Sequence, residues 1–166
     1  MTETKTSRSA HLADQFEAAQ ESFIRLVESL SDEQWRMTGA NTPELQNNED
    51  ESRQVRVIAH HVAVTQDWIM NRLKAILEDR PTPPVDFKVI NSEHAVEHAD
   101  ATKAEVVALL RGSLRRIAKD IRAIPDEKLD IAREVPSGKM SVQERIERVL
   151  IGHMKSHQGS IEATIS

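Results

Sequence analysis

Apolar residues recur every three or four positions along four long stretches of the chain, and no stretch of useful length alternates as a strand does. The first stretch runs from about Ser9 to Leu30, with Leu12, Phe16, Ala19, Phe23, Leu26 beside Val27, and Leu30 on one stripe. The polar run Ser31-Asp32-Glu33-Gln34 ends it, and Trp35 follows. Arg36 to Glu51 contains Gly39, Pro43 and several Asn and acidic residues, and reads as a loop. At about 16 residues it exceeds the usual helix–helix connection, so it is expected to cross over an end of a bundle or to cover something.

The second stretch is predicted to start near Ser52, an N-cap residue, and to reach Glu78 or Asp79. Its stripe holds Val57, Ile58, His61, Val64, Thr65, Trp68, Ile69, Leu73 and Ile76, and Arg80-Pro81-Thr82-Pro83-Pro84 stops it. Residues 85–100 admit two readings: Val85 to Ile90 as extended chain, and a helix from Glu93 capped by Asn91 or Ser92. The third helix spans about Thr102 to Ala123, through Val106, Leu109, Leu110, Leu114 or Ser113, Ile117 and Ile121, and closes at Pro125-Asp126. After a loop at Pro136-Ser137-Gly138, Ser141 and Glu144 form a capping-box pattern. The fourth helix then runs to about Ile165, through Val142, Ile146, Val149, Leu150, His153, His157 and Ile161. The expected fold is all-α: one four-helix-bundle domain over residues 1–166, with a long crossover loop between its first two helices and residues 1–8 as a disordered tail.

Composition narrows the chemistry. The 166 residues suffice for one domain with a real core, and 39% apolar with 30% charged residues is a globular balance. A formal net charge of -5 gives no basic surface for nucleic acid or an anionic membrane. The absence of cysteine removes disulfides, thiolate ligands and cysteine nucleophiles, so any metal must be held by nitrogen and oxygen. Met1 to Ser9 has no apolar core of a secretory signal, and no run approaches a bilayer span, so a cytoplasmic location is expected.

The histidines are the one constellation that suggests chemistry. His153 and His157 lie four residues apart on the apolar stripe of the fourth helix, hence on one face. Two buried imidazoles without partners would cost a few kcal/mol; a shared metal ion removes that cost. His61 occupies the apolar stripe of the second helix and would complete a three-nitrogen site with an open position. His60 points about 100° around the helix and reads as a rim or solvated residue. His94 and His98 share the same spacing in a polar context and read as an exposed helix start, with a lesser reading as the mouth of a pocket. His11 is unassigned. No Glu-x-x-His, His-Glu-x-x-His, Walker loop or Gly-x-Ser-x-Gly occurs.

The segment Val55-Arg56-Val57-Ile58-Ala59-His60-His61-Val62-Ala63, with His153-Met154-Lys155-Ser156-His157 much later, resembles the DinB/YfiT-like superfamily. Ser31-Asp32-Glu33-Gln34-Trp35 and the Asn91 region extend the resemblance over nearly the whole chain. In that family an apolar and then a small residue follow the ligand histidine, so His61-Val62-Ala63 fits the register better than His60-His61-Val62. The resemblance implies a divalent ion (zinc, nickel, iron or manganese) on His61, His153 and His157, a homodimer, and an unusual order of helices. It also implies a transferase or isomerase working with a low-molecular-weight thiol on a small electrophilic substrate. Water in the open position would make the same site a hydrolase. Two other readings stay open: a non-catalytic metal-binding or dimeric stress-associated bundle, closed by His11 or an acidic side chain, and a metal-free bundle with core histidines.

Overall fold

A computed structural model describes residues 7–39, 53–135 and 138–166. Helix α1 (Arg8–Ser29) begins where Ser7 accepts a hydrogen bond from the Ala10 amide. Ser7 and Arg8, assigned to the tail on sequence, are thus the cap and first residue of a helix. The predicted stripe, Leu12, Phe16, Ala19, Phe23, Val27 and Leu30, is buried. Ser31 to Gln34 do more than end α1: they form a reciprocal capping box that starts the short helix α2 (Asp32–Arg36). Trp35 on α2 is buried, and its indole N–H donates to the Ala101 carbonyl at 2.9 Å.

The crossover segment and the predicted cap Ser52 fall largely outside the described residues. What is described is its exit: Thr38 bridges Gln54, and the Val55 amide donates to the Met37 carbonyl at 2.8 Å. Helix α3 (Val55–Leu77) starts there with no side-chain cap. It ends at Asp79, whose φ of 55° turns the chain in the left-handed region before Pro81.

The segment 85–100, left open between extended chain and helix, is helical over residues 87–97. Asp86 accepts from the Val89 amide and starts α4 (Phe87–Glu97), about one and a half turns earlier than an Asn91 or Ser92 cap would. No residue of α4 is buried, which is why it has no apolar stripe to read. Thr102 caps α5 (Lys103–Arg122), as periodicity predicts.

A 3₁₀ turn (Asp126–Asp130) leads into a feature the periodicity did not predict, an antiparallel hairpin of β1 (Ala132–Val135) and β2 (Gly138–Ser141). Its register runs from Ala132 opposite Ser141 to Val135 opposite Gly138. Four residues per strand are too few to establish alternation. Gly138 has φ 125°, a conformation closed to side-chain-bearing residues, so glycine is required at this turn.

The Ser141–Glu144 capping box is present and starts α6 (Val142–Glu144). The next segment, Arg145–Ile151, is π-helical, and α7 (Gly152–Ile165) completes the chain. The predicted fourth helix is therefore one rod with a widened middle. Helix α1 packs along α5 and α7, and α3 packs along the same two, so α1 and α3 stand on opposite corners of the bundle. No helix among the described residues is long and apolar enough to cross a membrane.

The start of α1 is tied to the turn before the hairpin. The Asp126 carboxylate accepts from the Arg8 and Ser9 amides at 3.0 and 3.1 Å, taking up two N–H groups that a helix start leaves unpaired. Those amides, Arg8 first, hold the Asp126 carboxyl below its ordinary range. A carboxyl depressed on folding stabilises above its unfolded pKa of about 3.9 and loses that contribution as pH falls through the folded value. Asp126→Asn is therefore expected to lower Tm at pH 7, with the gap to wild type closing below about pH 4 in a thermal-melt series. An equal gap at every pH would refute the account.

Candidate metal centre

Six of the seven histidines gather in one place, and they form two groups of three: His61, His153, His157, and His60, His94, His98. His11 lies apart, exposed on α1, its Nε2 3.3 Å from the Gln15 amide.

The first group joins α3 to α7. Nε2 of His153 is 3.2 Å from Nε2 of His61 and 3.0 Å from Nε2 of His157. An ion bound by imidazoles at about 2.0–2.1 Å with inter-ligand angles between about 90 and 110° has nitrogen–nitrogen edges of about 2.9–3.4 Å. The observed separations are edges of that figure. His61 and His157 are buried and His153 is half-buried.

Local structure explains the convergence. The Thr65 hydroxyl donates to the His61 carbonyl at 2.6 Å, which leaves its oxygen to accept from Nδ1–H of the His61 ring at 3.3 Å. That contact puts the proton on Nδ1 and the lone pair on Nε2, toward the other two rings. On the opposite side, the Gly152 amide donates to Glu147, five residues back, as the π-helical segment returns to α-helical pitch. A β-carbon at 152 would lie 3.2 Å from the Glu147 carbonyl oxygen, so the smallest residue sits at the tightest point. The widened turn sets the rotation of α7 just before His153.

The second group corrects three expectations. His60, read as a rim residue, is 2% exposed. His94 and His98, read as an exposed helix start, are half-buried against it. The His60 and His98 rings stack at 4.0 Å between centroids, and Nδ1 of His60 lies 2.8 Å from Nε2 of His94. A single buried stripe on α3 would leave His60 at the rim, whereas α3 is covered on both flanks here. The usable signal was the repeat of the His-x-x-x-His spacing at 94 and 98, which matches 153 and 157. Burial, then the nearby His61, His60, His98 and Arg53, push His94 down to about 3. Burial first and then His98 lower His60, against the opposing pull of Glu105.

A cavity of about 390 Å³ opens beside the first group. His61, His153 and His94 lie in its wall, with Val64, Trp68, Ile69, Phe87, Ile90 and Val149 making the wall mostly apolar. Trp68 and Phe87 meet edge to face at 5.1 Å. A smaller cavity of about 200 Å³ shares Trp68, Ile69, Phe87 and Val149 with it and is lined on its far side by Arg72 and Arg145. Burial and the nearby Arg72 and Arg133 guanidinium groups make the Arg145 cation less favourable than usual.

The sequence profile of the DinB superfamily matches residues 15–161, and the chain belongs to that superfamily. Its fold is that of YfiT from Bacillus subtilis, described as a probable metal-dependent hydrolase with an unusual four-helix bundle topology. The two share 18% identity at a TM-score of 0.70, over 99% of this chain and 90% of that one. A second similar structure is the sibling lethal factor precursor DfsB, at 17% identity and a TM-score of 0.61, over 95% and 94% of the two chains. No curated protein matches the sequence. The DinB-like four-helix bundle is thereby established, and the two histidine groups are compatible with metal binding.

Removing the Thr65 hydroxyl tests the orientation of the His61 ring without touching a candidate ligand. Thr65→Val is expected to weaken zinc binding about 10- to 100-fold, measured by competition with a chelating dye, while the helical circular dichroism is kept. Unchanged affinity would mean that Thr65 does not hold the ring.

Proposed function

We propose that this chain is a divalent-metal-dependent enzyme in which His61, His153 and His157 hold the ion beside a pocket for a small apolar electrophile. The observation that carries the reading is that His153 Nε2 stands at coordination-edge distances from Nε2 of both His61 and His157, next to an apolar cavity. The donor set fits a borderline ion such as zinc, nickel or iron, since imidazole suits these and no thiolate is available. When bound, such an ion supplies Lewis acidity, lowering the pKa of a thiol or water nucleophile and polarising an electrophile.

The residues of the chain do the rest. Three ligands from two helices leave the side toward the cavity open, as catalytic sites do. His11 lies apart from the group, exposed on α1, so it does not close the site. Trp68, Phe87, Ile90 and Val149 hold the apolar part of a substrate and limit water. Asn91 offers a polar contact for orientation.

A low-molecular-weight thiol is our first choice of nucleophile. Among the described residues the cavity wall contains no Lys or Arg, but Arg72 and Arg145 line the smaller cavity that shares Trp68 and Phe87 with it. A thiol carrying a carboxylate could put its acidic end there and its sulfur toward the histidines. Its sulfur would form the new bond to carbon as the substrate's leaving group departs with the bonding electrons. Water is the second choice, supported by the description of YfiT as a probable metal-dependent hydrolase. We also propose a homodimer, as the family resemblance implies; a monomer mass by light scattering would rule it out.

Untagged protein assayed with a panel of small thiols and chlorinated or epoxide acceptors is expected to turn over. Activity should disappear when His61, His153 and His157 are all replaced by Ala. Arg145→Gln should raise KM for an acidic thiol about 10-fold or more, the cost of one charged hydrogen bond, and leave simple hydrolysis of an uncharged ester unaffected. Turnover with water alone would replace transfer by hydrolysis. Turnover that survives the triple replacement would sink the site assignment.

A further inference from the structure

The second histidine group has the makings of a site in its own right. One nitrogen from each of His60, His94 and His98 can be chosen so that all lie within 4.8 Å of one another. Nε2 of His60 is 3.5 Å from the Glu105 carboxylate, which favours a proton on that nitrogen and leaves a lone pair on Nδ1. That lone pair faces Nε2 of His94 at 2.8 Å. Either a shared proton or a shared ion can bridge these two nitrogens. Two lone pairs sharing an ion instead of a proton is the arrangement that histidine–carboxylate pairs support at metal sites, with the carboxylate holding the ring from behind.

We propose that His60, His94 and His98 form a second site for a divalent first-row cation such as zinc, with Glu105 orienting His60, and that this ion clips α4 to α3. The proposal does not rest on the reading of the first group, with which it shares no residue. Helix α4 needs such a clip. It buries no residue, exposes Val96 by 82% and Phe87 by 53%, and still supplies Phe87, Ile90, Asn91 and His94 to the cavity wall. His60 and His94 already meet at 2.8 Å, and one nitrogen from each of the three lies within 4.8 Å of the others. The same weak packing lets α4 move inward at little cost when an ion draws the rings together. Occupancy of the second site would then set where those four residues stand against a substrate. Glu105 offsets the charge of the ion, whereas nearby Arg53 opposes it.

The test titrates the purified full-length chain, stripped with chelator, with zinc chloride, and reads stoichiometry by elemental analysis after gel filtration. Wild type is expected to keep two ions per chain, and His94→Ala with His98→Ala is expected to keep one. His153→Ala with His157→Ala should retain the second-site ion whatever becomes of the first. Zinc should slow amide hydrogen exchange across residues 87–97 in wild type and in the 153/157 variant, and should leave it unchanged in the 94/98 variant. Because α4 buries no residue, the 94/98 variant should retain its helical circular dichroism and melting transition. No bound ion in wild type would overturn the proposal. So would an undiminished count in the 94/98 variant, or exchange in α4 that ignores zinc. If the 153/157 variant keeps every ion while the 94/98 variant loses one, the first site fails and the second stands.

Discussion

Helix α3 is buried on more than one side, and the rest of the site depends on that constraint. From Val57 to Ala63, seven consecutive residues are buried. A helix packed on one face leaves every third or fourth residue in water; here there is no such gap. Adjacent residues diverge by about 100°, so His60 and His61 are forced toward different neighbours. His61 meets His153 and His157 on α7, and His60 meets α4 and Glu105 of α5. Two histidine groups back to back follow from two adjacent histidines on a helical segment with no free side.

The same constraint marks where the sequence could be read. The four long helices declare themselves through stripes that are in fact buried, from Leu12 and Phe16 on α1 to Ile161 on α7. His61, His153 and His157 were legible because each sits on a stripe and two of them are one turn apart. His60 was misassigned because periodicity assigns one inward face to a helix, and α3 has more than one. Helix α4 was obscure for the opposite reason: with no buried residue it has no stripe, and its start is written only in Asp86. The hairpin has strands too short to alternate. The π-helical segment carries no periodic signature, and Gly152 alone marks its end.

Convergence of rings from α3 and α7 also requires that the helices keep their register, and the bundle carries a device for this just below the site. Gln20 of α1 and Gln66 of α3 pair their side-chain amides, and Gln20 donates further to Ser113 and to the Leu110 carbonyl on α5. Gln66 also reaches the sulfur of Met154, the neighbour of His153, at 3.8 Å. A one-turn slip of α3 against its partners would break every one of these contacts and leave buried amides unpaired. It would also move His61 by about 5.4 Å, beyond any shared coordination with α7. An apolar layer of the same volume could pack as well and would tolerate such a slip more readily. Buried polar layers of this kind give up some stability for a unique alignment. In this bundle, that alignment brings His61 to within 3.2 Å of His153.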